Sequence, residues 1–318
     1  MENFHNLLRA VLDGGVDQFN TRTGRTCRAL VGCQLQYDLR EGFPAITTKK
    51  LAFKSMVGEL LGFFRGCDNA ADFRALGSKI WDQNANETQA WLDNPNRKGL
   101  DDLGRIYGKQ WKDWRSYREI ASSDGGGADR LFEAGYRLVC DDGRVAVFRK
   151  SINQLENALR TLLVNPSDRR IIVSGWNPGE MDLMALPPCH MDYRFVAFEN
   201  PRVLNVVMTI RSWDLFLGAP FNISETALFL AVMARLAGYE PGVVTIQATN
   251  AHIYDNHFDQ VREQLGREHF ARPRLMLSDR IKSVTIDEIP GAFERIEPSD
   301  IWLEGYQCHD AIKAPMAA

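Results

Sequence analysis

The sequence offers little to a metal, a membrane or a nucleic-acid polymer. Its six cysteines, Cys27, Cys33, Cys67, Cys140, Cys189 and Cys308, include no C-x-x-C pair, so zinc-ribbon spacing is absent and no metal is expected. The longest apolar stretch, Ala227 to Ala234, falls far short of the roughly 20 residues that span a bilayer. The first residues, Met1-Glu2-Asn3-Phe4-His5, contain no charged region leading into an apolar run, so no secretory signal is expected. A net charge of -3 and a pI near 6.1 exclude the broad basic footprint of a DNA- or RNA-binding surface. Paired arginines are then better assigned to a small anion such as a nucleotide. Repeats and low-complexity segments are also missing, and the expectation is a cytoplasmic protein with free thiols.

What is there suffices for a full core. At 318 residues and 45% hydrophobic, the chain is expected to form one main domain over 1–318. Two stretches rich in turn formers, 84–102 and 116–143, read as insertions in it. Apolar residues at helical spacing from Leu51 to Arg65 predict a helix carrying Glu59, with Gly66 placed to end it. Ser151 with Gln154 has the pattern of a capping box before a helix that Pro166 closes, counting Ile152, Leu155, Leu159 and Leu162 on one face. Segments 170–176, 193–198 and 204–211 read as strands, and 224–237 reads as a helix apolar on most faces, with Asn222 near its start. A mixed sheet with helices packed on it follows.

Chemistry concentrates around Cys189. Taken alone, it reads as a small buried hydrophobe as readily as a nucleophile. Pro187 and Pro188 before it hold the backbone extended, and nearby arginines favour a thiolate. Asp168-Arg169-Arg170 precedes it, and Arg211-Ser212-Trp213-Asp214 and Asn222 follow. A soft nucleophile, guanidinium groups and a carboxamide able to read a base edge suggest covalent chemistry on a nucleotide. Outside such a cluster, Arg169-Arg170 would read as a solvated surface pair, and Glu59 as a helix-surface carboxylate.

The chain resembles the thymidylate synthase family and its relatives, the deoxypyrimidine hydroxymethylases. The resemblance is carried in order by Thr21-Arg22-Thr23-Gly24, Glu41-Gly42-Phe43-Pro44, Thr47-Thr48-Lys49-Lys50, Ile80-Trp81-Asp82, Tyr107-Gly108-Lys109-Gln110-Trp111, Asp168-Arg169-Arg170, Pro188-Cys189-His190, Pro220-Phe221-Asn222-Ile223, His252-Ile253-Tyr254 and Lys313-Ala314-Pro315. It implies an α+β fold whose sheets meet in a homodimer. It implies dUMP as substrate and 5,10-methylenetetrahydrofolate as co-substrate. Cys189 would add to carbon 6 of the pyrimidine, Glu59 would act as general acid/base through water, and Tyr107 would assist loss of the carbon 5 proton. Arg22, Arg211 and Ser212 match phosphate contacts, Arg169 and Arg170 match a pair reaching the neighbouring subunit's phosphate, and His252 and Tyr254 match contacts to the sugar. Asp214 matches a position shared by both ligands. Lys49, Ile80, Trp81, Leu186, Gly218, Phe221 and Ala317 match the folate side. Asn222 complements the oxygen and ring N–H of uracil, where cytidylate-specific relatives carry Asp.

The departures lie on the folate side. A second tryptophan of the family is Asn84 here, its glutamine before Arg211 is Ile210, its leucine before Pro220 is Ala219, and its bulky C-terminal aliphatic is replaced by Ala317-Ala318. Less apolar wall means less exclusion of water. On that ground the expected product is 5-hydroxymethyl-dUMP, with water as the last nucleophile, ahead of the methyl product of a thymidylate synthase. A nucleotide-binding homologue without turnover is the remaining alternative.

Overall fold

A computed structural model describes residues 1–21 and 23–315. Helix α1 (Glu2–Gly14) precedes the hairpin β1 (Val16–Asn20) and β2 (Arg25–Asp38). Helix α2 (Phe53–Arg65) and the short α3 (Ala70–Ala75), α4 (Asp82–Asn86) and α5 (Gln89–Leu92) lead to α6 (Tyr107–Lys112). Then come β3 (Trp114–Ala121), α7 (Gly125–Glu133), β4 (Arg137–Asp141), β5 (Val145–Ile152), α8 (Gln154–Val164) and β6 (Ile172–Ser174). The second half runs β7 (His190–Glu199), β8 (Arg202–Ile210), β9 (Trp213–Asp214), α9 (Gly218–Ala237), β10 (Glu240–Tyr254), α10 (Phe258–Leu265), β11 (Arg274–Leu277) and β12 (Ile301–Glu304).

The main sheet has the order β1-β2-β10-β8-β7-β6, with β9 beside β10. β10 pairs antiparallel with β2 and parallel with β8, so the sheet is mixed and the fold is α+β. Helix α9 packs on β8 and β10, and its near-complete burial explains why its sequence is apolar all round. Phe229 in its middle meets the rings of Phe64, Trp111, Tyr193 and Phe195. Truncating such a residue costs about 3–5 kcal/mol. No helix among the described residues is long and apolar enough to cross a membrane.

Three local expectations need correction. The helix expected over 224–237 begins at Gly218, because the Asp214 carboxylate accepts from the N–H groups of Phe216 and Leu217, and Pro220 is tolerated in a first turn. Asn222 is therefore inside the helix and does not cap it. The helix before Pro166 is capped by Asn153, whose side chain accepts from Glu156 N, while Ser151 and Ile152 belong to β5. The amide of Gln154 instead ties α8 to the carbonyls of Gln110 and Ser174. The strand expected over 170–176 narrows to Ile172–Ser174.

The segment 116–143 supplies most of β3, all of α7 and all of β4 to a separate unit around a sheet of order β3-β5-β4, where Tyr136, Ala146 and Phe148 form a small core of their own. Segment 84–102 folds over α4 and α5 and is held by Arg74, which donates to Asp82 and Asp101. The helix expected from Leu51 starts at Phe53 and ends, as the sequence indicates, on a left-handed Gly66 (φ 69°). A Cβ on Gly108 would fall 2.7 Å from the Phe63 backbone, so glycine lets α6 lie directly on α2. That contact brings Tyr107 close to Glu59.

Candidate active site

Cys189 stands at the entrance to β7, after a 3-10 segment Pro178–Leu183 and the prolines. Its backbone is fastened on both sides: its N–H donates to Tyr107 Oη at 2.7 Å, and its carbonyl accepts from Arg211 N at 3.0 Å. The Arg211 guanidinium donates to the carbonyls of Pro187 and Pro188, each at 2.9 Å, and lies over the Trp176 ring. A planar fork suits two adjacent carbonyls, which lysine could not match. Beneath this strand, Arg105 donates to Glu180 at 2.6 Å and Gln110 to the same oxygen at 2.8 Å. The thiol is thus mounted on an internally braced loop.

Behind it sits a wall of rings. Tyr107 stacks on Phe63 at 5.0 Å, and Trp81 packs against Phe63, Phe73 and Tyr107. Burial raises the Tyr107 phenol well above its ordinary range, so it is a neutral hydroxyl. Glu59 on α2 is buried in the same region, and burial pushes its carboxyl up to about 7. The Trp81 indole N–H opposes that shift, although it forms no hydrogen bond of normal geometry. A carboxyl poised near neutrality can both give and take a proton.

His190 follows the thiol. Burial lowers it to about 4, with the nearby Asn222 side chain opposing the shift, so its ring is neutral, and Nδ1 pairs with Tyr193 Oη at 2.8 Å. Asn222 is half-buried on the first turns of α9 near this ring. Asp214 closes the turn into α9 by accepting from the N–H groups of Phe216 and Leu217, and Gly218 and Phe221 fall in the first turn of that helix. His252 lies beside Asp214 in the β9–β10 pairing, is lowered by burial, and meets Asn250 at 2.8 Å through Nδ1. Tyr254 ends β10, with its ring 5.1 Å from His252. Ser212 is half-buried between β8 and β9.

Other expected residues stand apart. Lys49 is buried with Nζ on the Phe216 carbonyl and 3.6 Å from the Phe216 ring centre, and burial lowers it to about 8. It braces the turn after Asp214. Ile80 and Leu186 are half-buried at the edges of the ring wall and the proline segment. Arg169 and Arg170 are exposed in the turn between α8 and β6, and Arg170 pairs with Asp168 at 2.7 Å. Arg22, Ala317 and Ala318 lie outside the described residues. Sequence reasoning missed His190, Trp176 and Glu225; the signal for the last was a carboxylate inside an otherwise apolar helix.

The sequence profile of the family described as "Thymidylate synthase" matches residues 2–318. The chain belongs to the thymidylate synthase family. It is 46% identical over 323 residues to the thymidylate synthase of Pseudomonas putida, covering all of both chains. It is also 46% identical to that of Bordetella parapertussis and 37% identical to that of Vibrio atlanticus, again over the full length of each. Full-length similarity to thymidylate synthases includes both stretches that read as insertions in the sequence.

Proposed function

We propose that the protein is a thymidylate synthase that converts dUMP to dTMP. As a member of its family it is a transferase of one-carbon units to carbon 5 of a pyrimidine, with 5,10-methylenetetrahydrofolate as co-substrate. The observation that carries the reading is the Cys189–Tyr107–Glu59 arrangement: a thiol on a braced loop, a neutral phenol bound to its backbone, and a buried carboxyl near neutrality. Carbon 5 of uracil is a poor nucleophile until a thiolate adds to carbon 6 and breaks the ring conjugation. Cys189 supplies that thiolate, Tyr107 assists loss of the carbon 5 proton, and Glu59 moves protons through water. Asn222, near the neutral His190 ring, reads the uracil edge.

The phosphate falls to Arg211 and Ser212, joined by Arg22 and by Arg169 and Arg170 of the neighbouring subunit. His252 and Tyr254 serve the sugar. Asp214, Gly218, Phe221, Ile80, Trp81, Leu186 and Ala317 serve the folate, with Lys49 acting from behind the Asp214 turn. A dimer is supported by the sheet, where Ile172 pairs with Arg194 and the same face continues through Val196 and Phe198, exposed at 42%, 44% and 58%. None of the six cysteines forms a disulfide within the described chain, which fits a reducing compartment such as the cytoplasm.

Two observations favour the methyl product over the hydroxymethyl one expected from the departures. Relatives similar over their full length are thymidylate synthases, and Trp81 stays packed within a ring wall despite Asn84 beside it. Ala219 is wholly buried, so that exchange leaves no open gap towards solvent. Incubation with dUMP and methylenetetrahydrofolate tests the reading. Dihydrofolate and dTMP are expected together; tetrahydrofolate with hydroxymethyl-dUMP would restore the second reading.

A further inference from the structure

One residue of α9 does not suit its surroundings. Glu225 is 1% exposed, its Oε1 has no hydrogen-bond partner, and its Oε2 lies 3.9 Å from His190 Nδ1. A buried carboxyl without donors is costly, and an apolar residue would avoid the cost. No ion pair offsets it, because the His190 ring is neutral and its Nδ1 is already engaged by Tyr193. Such a group invites a functional explanation.

Helix α2, which carries the buried Glu59, packs on α9, which carries Glu225. Burial raises both carboxyls, and the charge of Glu59 raises Glu225 further. Two carboxyls in one dry space cannot both ionise, and they titrate as a pair. Around them stand Tyr107 of α6 and Tyr193 and His190 of β7. The buried residues of α8 and β8, which also pack on α9, include no titratable side chain. On β9 and β10, Asp214 and His252 act on one another.

We infer that Glu225 is a positioning residue for the one-carbon transfer, a second buried carboxyl that retains a proton beside Glu59 while Glu59 is ionised. The inference rests on the role proposed for Glu59. The pair holds two protons in acid and one at working pH; the proton that leaves is the one Glu59 exchanges with water and substrate, and Glu225 keeps the other. Its neutral acid limits the pocket to one negative charge, which keeps Glu59 available as both donor and acceptor.

Infrared difference spectroscopy on the full protein tests this without relying on a variant. At about pH 8, above the value of about 7 for Glu59, the carbonyl stretch of a buried protonated carboxyl is expected in the wild type. It persists in Glu59→Gln and disappears in Glu225→Gln. Kinetics supply the functional half: Glu225→Gln lowers kcat roughly tenfold, leaves KM for dUMP within about twofold, and alters the kcat limb near neutrality, with partial recovery in Glu225→Asp. Absence of the band in the wild type, or a Glu225→Gln enzyme with unchanged kcat and pH profile, overturns the inference. If Glu225→Gln does not fold, the band in the wild type and in Glu59→Gln still decides. Failure of the underlying reading looks different: Glu59→Gln would keep wild-type kcat whatever the band does.

Discussion

The backbone N–H of Cys189 donates to the phenol oxygen of Tyr107 at 2.7 Å, so the residue carrying the thiol is anchored to the first turn of α6. Tyr107→Phe removes the acceptor and leaves that N–H without its phenol partner. The expected loss is about 1–3 kcal/mol of stability, together with a fall in kcat larger than any change in KM. Urea denaturation and steady-state kinetics measure both; wild-type values for each would show the bond to be idle.

Glu59 makes stability depend on pH. Its folded value of about 7 lies above the ordinary 4.5, so its contribution is fully present below about 4.5 and is lost as pH rises through about 7. The loss amounts to roughly 3 kcal/mol at most. Glu59→Gln removes the dependence, so its melting temperature should gain on the wild type between pH 5 and pH 8 while its activity falls. A constant difference across that range would mean the carboxyl is not held near neutrality.

Asn222→Asp exchanges an amide that offers a donor and an acceptor for an acid that suits the reversed pattern of cytosine. Turnover of dUMP is expected to drop by roughly tenfold or more while dCMP becomes a substrate. Product analysis with each nucleotide checks it, and an enzyme that still rejects dCMP would place base selection elsewhere.

Arg211→Lys keeps the charge and loses the fork that holds the Pro187 and Pro188 carbonyls. We expect kcat/KM for dUMP to fall by roughly tenfold or more, with slower adduct formation at Cys189 by 5-fluoro-dUMP and reduced folate. Retention of the wild-type adduct rate would remove Arg211 from the support of the thiol.

Arg169 and Arg170 are exposed in the turn before β6, where Arg170 pairs with the nearby Asp168. Replacing both with Ala should leave stability within about 0.5 kcal/mol and abolish most activity. Refolding that variant together with Cys189→Ala should recover activity, since one site of each mixed dimer then has both a thiol and the partner's arginines. No recovery would confine these residues to the surface.

The sequence by itself determined the α+β class, the family and the list of groups around the thiol, because ordered motifs and helical periodicity are local signals. Helix α2 and its end at Gly66 were legible for that reason, and so was the buried character of α9. Where α9 begins was not, since the turn leading into it is closed by Asp214 of a strand, and the cap of α8 was misassigned because Ser151 is claimed by pairing with Arg115. Only the tertiary structure decided that Tyr107 holds Cys189, that Lys49 is spent on Phe216, and that the packing of α2 on α9 buries both Glu59 and Glu225. Those relationships join segments far apart in the chain, and burial, which sets the charge of each group, exists only once they are packed together.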